Sequence, residues 1–198
     1  MQTQHTGIDK YRIANKSDIE AIVKLVNRAY RPASGASGWT HESGLVSGNR
    51  TNDSQITEIM SKPDSVILVG LSSSEIIACV HIEKMGKNSH LGMLAVSPAL
   101  QGVGTGKQML AHAEMYASVN FGSEKCVIVV VSSRTELISF YLRRNYQKTG
   151  VLKDYPLSAG VGTPKLANLK IEVLEKQFKI AAINAVTCAK TKYQRRMW

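Results

Sequence analysis

Leu94-Ala95-Val96-Ser97-Pro98-Ala99-Leu100-Gln101-Gly102-Val103-Gly104-Thr105-Gly106 is the stretch on which the fold turns. A β-rich run ends at Val96, and beyond Gly106 the apolar residues Met109, Leu110, Ala113, Tyr116 and Ala117 recur at helical spacing. The segment therefore reads as strand, glycine-rich turn, helix. Alternating Gly102, Gly104 and Gly106 let the backbone approach a ligand closely, and the helix start adds unsatisfied amide donors and a positive dipole end. A Walker loop is excluded, because position 101 is Gln and Lys107 is followed by Gln108 rather than Ser or Thr. The spacing also departs from the dinucleotide fingerprint. By itself the turn reads as a cradle for a diphosphate or as a plain tight turn.

Upstream, Tyr11 to Ala14 reads as a strand, and Ser17-Asp18-Ile19-Glu20 as a capping box opening a helix with Ile19, Ile22, Val23, Val26, Ala29 and Tyr30 on one face. Pro32 ends it. Residues Ala33 to Asn52, rich in Gly and Ser, read as a long loop and a candidate substrate lid. A short helix over Gln55 to Met60 precedes a hairpin, Val66 to Leu71 and Ile76 to Lys84, whose second arm puts Cys79, His81 and Glu83 on one face. Leu91 to Val96 makes a third strand. Downstream, Val127 to Val131 reads as a strand buried on both faces, and Ser133-Arg134-Thr135-Glu136 as a second capping box. The helix it starts carries Leu137, Ile138, Phe140 and Tyr141 and is expected to stop at Asn145, a residue that tolerates the left-handed conformation. Leu169 to Leu174 reads as a last strand.

The chain has 198 residues, 43% of them hydrophobic, and a net charge of +10. That suits one folded domain, read here as residues 1–176, followed by a basic extension over residues 177–198. From Lys176 onward there are six Lys/Arg and no acid, yet no aromatic interleaving or recognition motif specifies nucleic acid. The odd, scattered Cys79, Cys126 and Cys188 form neither a disulfide framework nor a zinc pattern, so no metal is expected. With no signal-like apolar segment and no run approaching the ~20 residues of a membrane span, the expected setting is reducing and cytoplasmic, away from membranes. The pattern is compatible with a homodimer but does not specify one.

Leu94-Ala95-Val96-Ser97-Pro98, the glycine turn, and Phe140-Tyr141-Leu142-Arg143-Arg144-Asn145-Tyr146, in this order and roughly 35 residues apart, resemble the GNAT family of acyl-CoA-dependent N-acyltransferases. The resemblance spans about Tyr11 to Lys176. It implies an α/β (α+β) domain with a mixed, mostly antiparallel sheet flanked by helices. Acetyl-CoA would be the co-substrate, held by Leu94, Ala95 and Val96 along its pantetheine arm and by Gln101, Gly102, Val103, Gly104, Thr105, Gly106 and Lys107 around its pyrophosphate. Tyr141 matches the helix tyrosine that protonates or hydrogen-bonds the departing thiolate. Where the family commonly has Asn and Gly, this chain has Arg134 and Asn145. Gly38-Trp39-Thr40-His41-Glu42, with Tyr30-Arg31 before it and Gly48-Asn49-Arg50 after it, resembles a segment of small GNAT proteins, and that likeness turns Trp39, Glu42 and Arg50 toward the acceptor. The bland alternative has Trp39 anchoring a loop and Arg50 pairing with an acid.

The implied reaction needs a neutral amine. An alkyl ammonium of pKa near 10.4 lies ~3.4 units above neutrality, a deficit of ~4.6 kcal/mol that a base or a desolvating pocket must reduce. Glu83, Glu42 and His81 are the candidate bases, each also readable as a surface or hydrogen-bonding residue. A backbone amide near Leu94 could donate to the oxyanion. Arg31 or Arg50 could clamp an acceptor carboxylate bidentately, which suits a small amino-acid-like amine. A protein that senses CoA without turning it over is the alternative of a different class.

Overall fold

The computed structural model describes residues 7–32 and 41–178. In chain order the elements are β1 (Lys10–Ile13), α1 (Ile19–Tyr30), β2 (Val46–Ser47), α2 (Asp53–Ser61), β3 (Ser65–Ser72), β4 (Glu75–Met85) and β5 (Asn88–Val96). They continue with α3 (Thr105–Asn120), β6 (Lys125–Val131), α4 (Thr135–Leu142), β7 (Gln147–Asp154), β8 (Thr163–Pro164) and β9 (Lys170–Gln177). Seven strands form one sheet in the order β1-β3-β4-β5-β6-β9-β7, while β2 and β8 pair separately. Every pairing is antiparallel except β5 with β6, the pair joined through α3. A parallel pair needs such a crossover. The expected mixed, mostly antiparallel sheet with flanking helices is thus present.

Alternation along the strands divides the core. Leu68, Val80, Ile82, Leu91, Ile128 and Val130 pack with α3 and α4 on one face, whereas Ile67, Val69, Cys79, Met93 and Ala95 pack with α1 and α2 on the other. A smaller cluster of Val46, Val131, Tyr155, Leu169 and Ile171 binds the segment after α1 to the last third of the chain. The described part of the expected lid, residues 41–52, is therefore anchored.

Two irregularities in β5 create the site. Its parallel pairing with β6 runs from Asn88↔Lys125 to Leu91↔Ile128 and stops, so the strands separate beyond that point. Its register with β4 shifts between Cys79 and His81, and Met93 takes φ +53°, the one left-handed non-glycine inside a strand among the described residues. The bulge re-aims the strand as it leaves β6.

Several local expectations need correction. The cap before α1 is Asn15, whose side chain accepts from Ser17 N while Asp18 reaches back to Asn15 N, and a single 3₁₀ turn precedes the helix. No side chain caps α4, because Arg134 occupies the cap position and Glu136 pairs with the Arg134 guanidinium instead. β6 is not buried on both faces: Cys126, Ile128 and Val130 face the core, while Val129 is 37% exposed where no helix covers the sheet. Asn145, by contrast, has φ +68° just past α4, as its side chain predicts. β7 has no apolar alternation and every one of its residues is exposed, which is why the sequence pattern missed it. β9 includes Gln177, and Phe178 packs on the large core, so the folded body passes the expected boundary at residue 176. The rest of the basic extension lies outside the described residues.

Candidate active site

A cleft of about 700 Å³ opens beside the glycine turn, and a smaller cavity of about 120 Å³ lies behind it across the gap between β5 and β6. Tyr30, Leu94, Leu137 and Tyr141 line both. They mark the junction between two compartments.

The large cleft is built mainly from one contiguous segment. Leu94, Val96, Gln101, Gly102, Gly104, Gly106 and Lys107 line it, with Phe140, Tyr141, Arg143 and Arg144 from α4 and its C-terminal end opposite. Gly102 and Gly104 have φ of +82° and +99°, which L side chains adopt only with strain, so glycine is required at both. Gln101 Nε2 donates to Val96 O at 3.1 Å and ties the turn to the strand. Thr105 Oγ1, at the first position of α3, is buried without a hydrogen-bond partner. That hydroxyl stands behind the cleft wall, and it is the glycine turn with the first amides of α3 that fits the diphosphate of a coenzyme A. Three of the expected cofactor residues do not line the cleft. Ala95 packs in the α1 core, Val103 points to solvent at 59% exposure, and Thr105 is almost fully buried.

Tyr141 is 6% exposed, and burial pushes its phenol up, so the hydroxyl stays protonated at neutral pH. It takes no hydrogen-bond partner among the described residues, and stands edge-on to Phe140 and Tyr146. Tyr30, its phenol pushed up to about 12 by burial, donates to Leu94 O at 3.0 Å and pins the bulged strand to the end of α1.

The small cavity is walled by residues far apart in sequence, including Glu42, Arg50, His90, Gly92, Val129 and Tyr155. Glu42 is buried and held by two guanidiniums, Arg31 Nη1 at 3.0 Å and Arg134 Nη1 at 3.8 Å. Arg31 also donates to the carbonyls of Gly48, Tyr30 and Val161, so it ties three segments together and does not present the expected carboxylate clamp. Arg50 differs: its guanidinium lies 5.3 Å from the Tyr30 ring centre and has no carboxylate partner among the described residues. The expectation that Arg50 pairs with an acid therefore fails.

His81 and Glu83 line neither cavity. His81 Nε2 is 2.8 Å from Ser65 Oγ, and burial pushes its imidazole down to about 4. The Glu83 carboxylate lies 3.7 Å from Lys62 Nζ. Trp39 lies outside the described residues. The wall residue that sequence reasoning missed is His90, and its only clue was the strand alternation that places it opposite Glu83.

Residues 63–148, which include the bulged strand, the glycine turn and α4, match the family model described as an acetyltransferase (GNAT) domain. No curated protein matches the chain. Among solved structures, a ribosomal-protein alanine N-acetyltransferase from Escherichia coli superposes with TM-score 0.63 at 12% identity, over 86% of this chain and 94% of that one. The PaiA N-acetyltransferase from Thermoplasma acidophilum, in complex with coenzyme A, superposes with TM-score 0.58 at 16% identity, over 85% and 98% of the two chains. Mutant forms of a spermidine/spermine N-acetyltransferase from Vibrio cholerae give TM-score 0.64 at 10% identity, over 90% and 97%. At these identities the likeness is one of fold, and together with the match over residues 63–148 it shows that this chain carries an acetyltransferase (GNAT) domain.

Proposed function

We propose that this chain acetylates the primary amine of a small acceptor that also carries an anionic group. The observation behind this reading is the pair of cavities joined at Leu94 and Tyr141, one wide and glycine-edged, the other narrow and furnished with Arg50. Bound acetyl-CoA supplies the thioester carbonyl. The Gln101–Gly106 turn and Lys107 hold its phosphates, while the amides of Leu94 and Val96, on a strand that has parted from β6, serve its pantetheine arm. The Leu94 amide donates to the developing oxyanion. Tyr141 donates its proton toward the departing sulfur, and a thiol of pKa near 8.5 needs only modest help of this kind.

Arg50 offers the acceptor a guanidinium already oriented by the Tyr30 ring, suited to a carboxylate or phosphate. The cavity of about 120 Å³ has room for a small acceptor group and leaves little for a folded protein surface. The buried free thiols Cys79 and Cys126 are compatible with a reducing, cytoplasmic setting.

Thiol release from acetyl-CoA with a panel of amino acids, polyamines and uncharged amines tests the reading. Anionic amines should turn over, and Arg50→Ala should raise their KM about tenfold or more while leaving CoA affinity alone. Turnover confined to polyamines would overturn the anionic-acceptor claim. CoA-stabilised melting with no thiol release on any amine would favour a binding module.

A further inference from the structure

Two histidines share the open face of the β4–β5 ladder, His81 opposite Gly92 and His90 opposite Glu83. Their circumstances differ. The His81 Nε2 is engaged by Ser65 Oγ at 2.8 Å and the side chain stands outside both cavities. His90 lines the acceptor cavity together with Arg50, Leu94 and Tyr141, and its ring nitrogens have no hydrogen-bond partner among the described residues. The ring lies over Gly92, where an added Cβ would stand 3.6 Å from His90 Cε1, and so leans along β5 toward the bulge and the Leu94 amide. Of the three bases expected from the sequence, Glu42 is spent on two guanidiniums, Glu83 lies beside Lys62, and His81 is bonded to Ser65. Resting on the acetyl-transfer reading, we infer that His90 is the general base, taking the proton from the acceptor ammonium as its nitrogen turns to the thioester.

The proton balance is simple. The ammonium gives one proton to an imidazole nitrogen of His90, the nitrogen lone pair forms the C–N bond, and the C–S bond breaks with its electron pair leaving on sulfur. The second nitrogen proton offsets the one Tyr141 delivers to sulfur, and the His90 imidazolium returns its proton to solvent. Partial burial favours the neutral, proton-accepting imidazole, while the Glu83 carboxylate from β4 opposes that shift and Lys153 on β7 adds to it. At neutral pH the base is therefore ready to act.

The test uses thiol release from acetyl-CoA with amino acids, and with water, as acceptors. His90→Gln should lower kcat/KM about 10²-fold near neutrality with CoA affinity unchanged. In the native enzyme the acid limb of kcat/KM should coincide with the His90 titration followed by imidazole NMR, below the ordinary value of about 6.5. That limb should vanish in His90→Gln and persist in His81→Gln. Added imidazole should restore turnover to His90→Ala, which a merely structural loss would not permit. His90→Gln retaining its rate within twofold, or an NMR titration that does not match the limb, overturns the assignment of His90 alone. A native enzyme that releases no thiol with any acceptor overturns acetyl transfer, and the role of His90 with it.

Discussion

The two compartments that meet at Tyr141 are made differently. The glycine-edged cleft is largely backbone: one glycine turn, one helix start and one bulged strand supply it from residues 94–107. The small cavity is made of side chains, Arg50 from the segment before α2, His90 from β5 and Glu42 held by Arg31 and Arg134, partners 11 and 92 residues away in sequence. A backbone site survives most substitutions that leave its torsions alone, whereas a side-chain site fails when one partner is removed.

The sharpest way to break the contrast is at Glu42. Glu42→Ala leaves two buried guanidiniums facing each other and should cost about 3–5 kcal/mol in urea unfolding, collapsing the acceptor wall first. A loss below about 1 kcal/mol would show the pair to be ornamental. Next comes pH. The folded His81, pushed down to about 4, lies below its unfolded value of about 6.5, so its neutral form contributes stability that is complete above that value and is lost as pH falls toward 4. Up to about 3 kcal/mol should disappear over that window, and His81→Gln should flatten the profile; a profile unchanged by the substitution refutes the assignment. At the junction, Tyr141→Phe should slow turnover by up to about 10²-fold while calorimetry finds CoA affinity intact. An equal loss of affinity would make Tyr141 a packing residue. The smallest effect falls on the backbone side: Gly104→Ala forces a side chain to φ +99°, costing about 1–2 kcal/mol and, if the turn relaxes, about tenfold in CoA affinity.

What was legible in the sequence follows the same division. Gly102 and Gly104 announced their turn because positive φ is a local requirement that residue type alone reveals, and Asn145 did so beyond α4. Strand alternation put His81 and Glu83 on the right face but could not say that Ser65 and Lys62 would occupy them. Arg31 and Arg50 looked equivalent until the fold filled one with backbone carbonyls and left the other facing a cavity. β7 carried no signal at all, since an edge strand exposed along its whole length has no apolar face to show.

Local chemistry alone therefore determined the strand, glycine turn and helix order around Gly102 and Gly104 and the left-handed stop at Asn145, because torsional preference and short-range periodicity act within a few residues. The tertiary structure decided which charges are spent on each other, where β5 leaves β6, and that His90 and Arg50 are left facing the small cavity. Those outcomes depend on partners tens of residues apart, whose meeting is set by packing and by the cost of burying an unpaired charge, and neither is written in any single stretch of chain.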